Sequence, residues 1–146
     1  MLFKDTPKKC KELEIVQMTH FPFKNYLAMT WCGKIITRYP DKIDQQTKTH
    51  ETIHLRQAQQ YTNWISFYAV YLYEWIKGNP IVKPFNSAYY TIPFEVEAYA
   101  NEDKPQYTDN YNTDNLKTKY NLKDRKILFK QYGTTSYQWK AYIKGL

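Results

Sequence analysis

A helical pattern from residue 48 to residue 77 constrains the fold more than any other feature of this sequence. It stops at Gly78-Asn79-Pro80, which is a strong signal for a helix C-terminus, and Thr47 is a candidate N-cap at its start. A helix of about thirty residues is long for a small globular domain. We therefore expect a break near 61–64 that divides the pattern into two helices.

Shorter elements flank this helical region on both sides. Residues 26–39 are rich in aromatic and β-branched side chains, with Gly33 in the middle, which predicts one bulged strand or two short strands. Downstream, Pro93 suits the first turn of a short helix within 91–102. This order of elements predicts an α+β fold that is mainly helical, with a short sheet or strand ahead of the first helix.

Both ends of the chain are basic. Residues 1–25 have no regular pattern, so we expect an irregular segment there. The tail, 116–146, predicts two short helices that are separated by Gly133 and resume at Ser136. The chain has 146 residues, which fits one domain with one modest core. We therefore expect a single domain over 1–146.

The net charge of +7 comes from 18 Lys and only 3 Arg against 14 acidic residues. Arginine is the residue that recognises phosphates and bases in bidentate fashion, and its scarcity argues against nucleic acid as a partner. The simpler interpretation is a lysine-coated surface. Acidic residues concentrate between residues 86 and 114 and basic residues beyond 116, so we expect these two regions to pack near each other.

The most apolar run, 64–76, is too short to span a bilayer and contains Glu74. Four of its aromatic residues recur at helical spacing and predict one buried face: Trp64, Phe67, Tyr71 and Trp75. Tyr68 and Tyr73 remain as candidates to line a groove. We expect no transmembrane segment, with peripheral membrane contact as a lesser hypothesis. The charged N-terminus lacks a secretory signal, so we expect a cytoplasmic protein, with virion association as an alternative.

The segment "HETIH" carries the clearest chemistry in the chain. On a helix, residues four apart lie on one face, so His50 and His54 can direct both imidazoles at one point. This is the geometry of the H-E-x-x-H motif, in which two histidines bind zinc and the glutamate, here Glu51, acts on the water that zinc polarises.

A catalytic zinc site needs a third protein ligand. Gln57 and Gln60 occupy the positions where a three-histidine site would have glycine and histidine, so that class is excluded. His20 is the remaining histidine, but it lies far upstream. Glu95, on the second predicted helix, is the preferred third ligand. Glu97 is a rival, although two residues two apart on a helix cannot point the same way.

The motif followed by a helix carrying "EVEA" resembles the gluzincin clan of zinc metallopeptidases, the thermolysin-like class. The stretch "HETIHLRQ" also looks like a variant of the motif in small bacterial and phage zincins, and its combination with "FEVEAY" resembles a group of small bacterial proteins over about residues 26–107. Carried over residue by residue, this resemblance implies zinc held by His50, His54 and Glu95, with Glu51 as general base. It also implies that the fold is zincin-like, with a strand or short sheet, an H-E-x-x-H helix and a glutamate-bearing helix.

The chain departs from the gluzincin pattern at Tyr99, where the family has an aspartate that orients a ligand histidine. Tyr99 is a candidate for that role through its hydroxyl, with Glu97 or Asn101 as substitutes. Tyr89 is a weak candidate for the oxyanion donor that peptide hydrolysis needs. In gluzincins an edge strand before the active-site helix pairs with the substrate, and the segment 26–39 has the corresponding chain position.

Two functions follow from these features. The first is a zinc-dependent metallopeptidase that hydrolyses a peptide bond in a peptide or protein substrate, with Glu51 activating the water. The alternative is a catalytically inactive zincin-fold protein in which the metal serves structure or assembly, for example in a virion. The sequence gives neither the substrate nor the oligomeric state.

Overall fold

The computed structural model describes residues 6–20, 27–133 and 135–146. Within these ranges the protein is α+β and mainly helical, as predicted, with a small sheet near the N-terminus and helices over the rest. Parts of two sequence predictions lie outside the described residues, because 1–5 and 21–26 are not among them. None of the helices in the described ranges is long and apolar enough to cross a bilayer.

The sheet consists of β1 (Glu14–Gln17), β2 (Ala28–Trp31) and β3 (Lys34–Thr37). β3 lies in the middle, parallel to β1 and antiparallel to β2. Cys32 and Gly33 form the two-residue turn between β2 and β3, and both have positive φ angles, 49° and 84°. Such turns match the twist of paired strands. Residues 26–39 therefore supply two short strands, which is one of the two predicted forms.

β1 is the element that the sequence analysis missed, since it lies within a segment predicted to be irregular. Glu14–Gln17 is only four residues long and pairs in parallel with β3, from Glu14 opposite Lys34 to Gln17 opposite Thr37. Its backbone hydrogen bonds are made to a strand about twenty residues away in the sequence. A short parallel strand of this kind is defined by its partner rather than by a local pattern.

The long helical pattern is divided, as predicted, into α1 (Gln45–Ala58) and α2 (Trp64–Lys77). Asn63 caps α2 through a reciprocal capping box with Ser66, which ends any continuity with α1. α2 ends at Gly78, as the sequence predicts.

The start of α1 differs from the prediction by a few residues. Asp44, not Thr47, is the N-cap, and its Oδ1 accepts a hydrogen bond from the Thr47 backbone N–H at 2.8 Å. Thr47 is thus the third residue of the helix. An aspartate cap also places negative charge at the helix N-terminus, where the helix dipole favours it.

The remaining helices lie in the C-terminal half. Their bounds are α3 (Ser87–Tyr90), α4 (Pro93–Asn101), α5 (Asp114–Lys117), α6 (Arg125–Tyr132) and α7 (Ser136–Lys144). Pro93 is in the first turn of α4, as predicted. α4 is buried along almost its whole length and contacts both α1 and α7, so this helix organises the domain.

Two clusters of buried side chains meet at α4. The first joins α1, α2 and the β2–β3 turn to the start of α4 through Ile92 and Phe94. The second packs α6 and α7 against Val96 and Ala100. Trp139 of α7 is fully buried there. The predicted pairing of acidic centre and basic tail is present, because Lys144 Nζ lies 3.0 Å from Asp103 Oδ1.

The predicted buried face of α2 is only partly correct. Trp64 and Phe67 are buried and Tyr71 is partly buried, but Trp75 is 38% exposed. Among the described residues, the core cluster around α2 ends at Tyr71, so Trp75, one turn later on the same face, lies beyond it. Of the two tyrosines proposed for a groove, Tyr73 is exposed instead.

Candidate metal centre

The two histidines of the "HETIH" segment converge at one point on α1. The Nε2 atoms of His50 and His54 are 3.2 Å apart. Their rings meet nearly edge to face, with centroids 4.9 Å apart. This follows from the helix, on which positions i and i+4 are stacked one turn apart. His20 is exposed and is not part of this group.

Glu95, in the first turn of α4, brings its carboxylate to the same point. Glu95 Oε2 lies 3.2 Å from His50 Nε2, and Glu95 Oε1 lies 3.2 Å from His54 Nε2. His50 and Glu95 are only 7% and 3% exposed. The two imidazole nitrogens and the Glu95 carboxylate therefore lie together, and neighbouring groups are 3.2 Å apart, through one carboxylate oxygen for His50 and the other for His54.

These separations suit the donors of a bound metal ion. A tetrahedral ion with bonds of about 2.0–2.1 Å holds its ligands roughly 3.3–3.4 Å apart. Glu95 Oε2 is also buried and, although His50 Nε2 lies 3.2 Å away, makes no hydrogen bond of regular geometry with a described residue. This is costly unless a cation satisfies the oxygen. Two imidazoles and a carboxylate suit zinc but are accepted by other divalent transition metals as well.

Electrostatic interactions among His50, His54 and Glu95 favour positive charge on the histidines and negative charge on the carboxylate. Burial lowers the pKa of His50, but the neighbouring carboxylates of Glu102 and Glu95 raise it overall to about 10. Burial opposes ionisation of Glu95, yet the neighbouring His54 and His50 hold the pKa of this carboxyl well below its usual range. The site is therefore built to keep Glu95 anionic and to place positive charge beside it.

Glu102 orients His50 and was not identified from the sequence. Its Oε2 lies 3.0 Å from His50 Nδ1, so Nδ1 carries the proton and Nε2 is left to face Glu95. Lys144 Nζ lies 3.8 Å from the other oxygen of Glu102. Glu102 follows Glu95 by seven residues, or two helical turns, and this spacing is a signal that the sequence analysis could have used.

Tyr99 does not take the role that was predicted for it. Its ring packs against the His50 ring with centroids 4.4 Å apart, and its hydroxyl lies 3.4 Å from the Tyr89 hydroxyl. Asn101, the other substitute, donates to Glu97 O and to the Tyr120 hydroxyl. Tyr99 thus contributes shape to the site, while the hydrogen bond to His50 comes from Glu102.

Gln57 orients the second histidine. Its Oε1 lies 2.8 Å from His54 Nδ1, and its Nε2 donates to Phe94 O at 3.0 Å and to Glu97 Oε1 at 2.8 Å. Because both amide hydrogens are used, the oxygen must face His54, which makes Nδ1 the protonated nitrogen. Gln57, one of the two residues that exclude a three-histidine site, therefore fixes the tautomer of His54.

Glu97 was the alternative to Glu95 as third ligand in the sequence analysis, but its carboxylate lies outside the group of converging side chains. Its carboxylate accepts hydrogen bonds from Gln57, from Tyr107 at 3.0 Å and from Tyr111 at 2.5 Å. Burial raises the pKa of Glu97, against the effect of these three donors. Glu97 instead anchors Gln57, and through it His54.

Two tyrosines approach the centre from the side of a cavity. The Tyr71 hydroxyl donates to Glu95 Oε1 at 2.8 Å, a contact that the sequence analysis missed because it assigned Tyr71 to the core. Burial and the nearby Glu95 raise the pKa values of Tyr71 and Tyr89 well above the usual range. Both hydroxyls are therefore protonated and can act as hydrogen-bond donors.

A cavity of about 570 Å³ adjoins the centre. Glu51, His54 and Glu95 line it, together with Tyr71 and Tyr89. Its other walls are largely apolar and are formed by Leu13, Gly33, Leu55, Trp64, Phe67, Tyr68 and the whole of β2, Ala28–Trp31. The cavity is large enough for a side chain and part of a backbone.

No family model, curated protein or solved structure matches this chain. The assignment of the centre therefore depends on the motif and on the geometry of its donor atoms.

Proposed function

We propose that this protein is a zinc-dependent metallopeptidase of the gluzincin type, with a zincin-like arrangement of a sheet and two ligand-bearing helices. The observation that carries the proposal is the convergence of His50 Nε2, His54 Nε2 and the Glu95 carboxylate, with 3.2 Å between neighbouring groups, beside a cavity that Glu51 also lines. The three side chains would hold the metal, and the cavity would hold the substrate.

Zinc, when bound, supplies Lewis acidity and brings the pKa of a coordinated water towards neutrality. Glu51 lines the cavity beside His54, where its carboxylate can accept a proton from the attacking water and deliver it to the leaving amine. Tyr89 also lines the cavity, and its protonated hydroxyl is suited to donate to the oxyanion that develops on the substrate carbonyl.

The position of β2 supports an extended peptide as the substrate. β2 pairs with β3 on one side and has no strand on its other side within the described residues. All four of its residues line the cavity, and Thr30 Oγ1 is buried without a hydrogen-bond partner in the described part of the chain. A peptide that paired with β2 would extend the sheet and pass the metal centre.

A metal-binding protein without hydrolase activity is the competing assignment. The near-complete burial of His50 and Glu95 favours it, because a buried metal stabilises the fold whether or not substrate binds. The two assignments agree on the ligands and differ only in what Glu51 does.

Metal analysis of purified protein tests the ligands. We expect about one zinc per chain, loss of zinc in His54→Ala and full retention in the matched control His20→Ala, because His20 is exposed and outside the group. If zinc content is equal in all three proteins, the site is wrong.

Peptide cleavage then separates the two assignments. Glu51→Gln should keep its zinc and lower the rate of hydrolysis by about 10²–10⁴-fold, whereas Glu12→Gln, at an exposed position, should change neither. If the zinc-loaded wild type cleaves no member of a peptide library, the peptidase assignment is rejected and the metal-binding assignment remains.

A further inference from the structure

α2 carries a second apolar face, which serves neither the core nor the cavity. Four apolar residues at spacings of four, three and four form a stripe along it, and all are exposed: Ile65, Ala69, Leu72 and Ile76. They lie on a different side of the helix from Trp64, Phe67 and Tyr71, which face the core and the cavity. Apolar stripes on soluble helices are normally buried, so this one needs a partner.

The apolar surface continues into the segment after α2. Backbone hydrogen bonds from Asn79 N–H to Ile76 O and from Val82 N–H to Asn79 O turn the chain beside the helix end. Ile81 is 86% exposed, and Val82 and Phe85 are also exposed. We call these seven residues the apolar patch: Ile65, Ala69, Leu72, Ile76, Ile81, Val82 and Phe85. Adjoining exposed apolar residues in such numbers mark an interaction site.

Lysines surround the end of this patch. Lys77 and Lys83 belong to the same segment, and Lys126 Nζ donates to Val82 O, which brings α6 beside the patch. An adjoining cleft of about 770 Å³ is lined by Lys77, Lys117, Lys123 and Lys126, with Asp124 as its acidic member. Glu74 is engaged by Arg125 at 3.1 Å. The patch is therefore apolar along α2 and has a rim of lysines at the end where α2 stops.

We infer that the apolar patch docks on the surface of an anionic lipid bilayer. Exposed aliphatic side chains with a lysine rim match the apolar interior and the negative headgroups of such a surface. Tyr73 and Trp75, which are exposed on the same helix, suit the headgroup layer.

Flotation of the full-length chain with lipid vesicles tests this inference, which is independent of the metal centre. Vesicles of phosphatidylcholine alone and vesicles with added phosphatidylserine are compared at low and high salt. We expect binding only to the anionic vesicles, and a steep decrease at high salt because the lysine contribution is screened.

Ile81→Asp is the decisive variant, and Tyr137→Asp is its matched control. Both replace an apolar side chain that is more than 80% exposed, at 86% and 82%, so neither should disturb the fold. Ile81→Asp should weaken vesicle binding about tenfold or more, while Tyr137→Asp should leave it unchanged. Absence of binding by the wild type, or equal binding by both variants, would overturn the inference.

Light scattering tests whether a second copy of the chain, and not a membrane, covers the apolar patch. A lipid-independent dimer that Ile81→Asp dissociates would assign the patch to a second copy and reject the membrane. Salt-sensitive binding of an acidic protein, without any binding to vesicles, would also reject the membrane as the partner of the patch.

Discussion

Glu102 Oε2 lies 3.0 Å from His50 Nδ1 and joins the C-terminal end of α4 to the middle of α1. On the neighbouring turn of α1, Gln57 does the same for His54 at 2.8 Å. Each histidine thus has its outer nitrogen fixed by a side chain that the motif does not include, and its inner nitrogen is presented to Glu95.

Removal of the Glu102 charge should weaken the metal centre without unfolding the protein. We expect Glu102→Gln to lower zinc affinity about 10–100-fold, measured by competition with a chromophoric chelator. Asp103→Asn is the matched control, since Asp103 shares the Lys144 and Gln46 contacts but does not touch His50. Equal affinities in the two variants would show that the His50–Glu102 contact has no influence on the metal.

Gln57 should matter for both metal affinity and stability. Gln57→Leu keeps the volume but removes the acceptor for His54 and one donor to buried Glu97. We expect about a tenfold loss of zinc affinity and a decrease of about 1–3 kcal/mol in the free energy of unfolding. Gln60→Leu, on the exposed side of the same region, should change neither. A wild-type zinc affinity in Gln57→Leu would contradict the proposed positioning role.

Zinc binding should release protons and strengthen as the pH rises. The pKa of His50 in the metal-free protein is about 10, so at neutral pH the metal must displace its proton. Calorimetric titrations in buffers of different protonation enthalpy should give about one proton released per zinc at pH 7.5. A binding heat that is the same in every buffer would count against this.

The stability of the metal-free protein should depend on pH in the opposite sense, because the contribution of His50 decreases as the pH rises. The contribution of His50 to stability is complete below its ordinary pKa of 6.5 and is lost as the pH approaches about 10. The lowered pKa of Glu95 gives a contribution that is present above its ordinary value of 4.5 and is lost at lower pH. With a chelator present, the contribution of this pair to Tm should therefore be greatest between about pH 4.5 and 6.5.

The basic tail should be an integral part of the domain. Trp139 of α7 is fully buried, and its Nε1 donates to Tyr90 O at 2.8 Å. We expect Trp139→Ala to lower the free energy of unfolding by about 3–5 kcal/mol, measured by urea denaturation. Tyr137 is exposed and is the second residue of the same helix. Tyr137→Ala should therefore lower the free energy of unfolding by less than about 0.5 kcal/mol. Similar losses in both variants would contradict this packing.

Much of the fold could be predicted from local signals. The division of the long helical pattern, the helix that begins at Pro93 and the two tail helices all follow from caps, proline and glycine. β1 could not be predicted in this way, because its four residues acquire strand structure only through pairing with β3. Trp75 shows the same limit, since helical spacing defines a face but does not define how far the neighbouring core extends.

For the site, the sequence identifies the three side chains that converge, because helical spacing and the glutamate on the second helix are both visible in it. It does not identify Glu102, Gln57 or Tyr71 as their partners. These contacts depend on how α4 and α2 pack against α1, and hence on tertiary structure. Tyr99 stands where the gluzincin pattern has an aspartate, and the structure supplies a carboxylate, Glu102, one turn further along the chain.

The contact of α7 with α4 also sets a lower limit on the length of chain that can be studied. Lys144, two residues before the last one, lies 3.8 Å from Glu102 Oε1, and Lys140 lies over the Tyr99 ring that packs on His50. A fragment that ends after the second ligand helix would include all three converging side chains, yet it would expose the apolar side of α4 and remove the contact of Lys144 with Glu102. Fragments for biochemical work should therefore extend at least to Lys144.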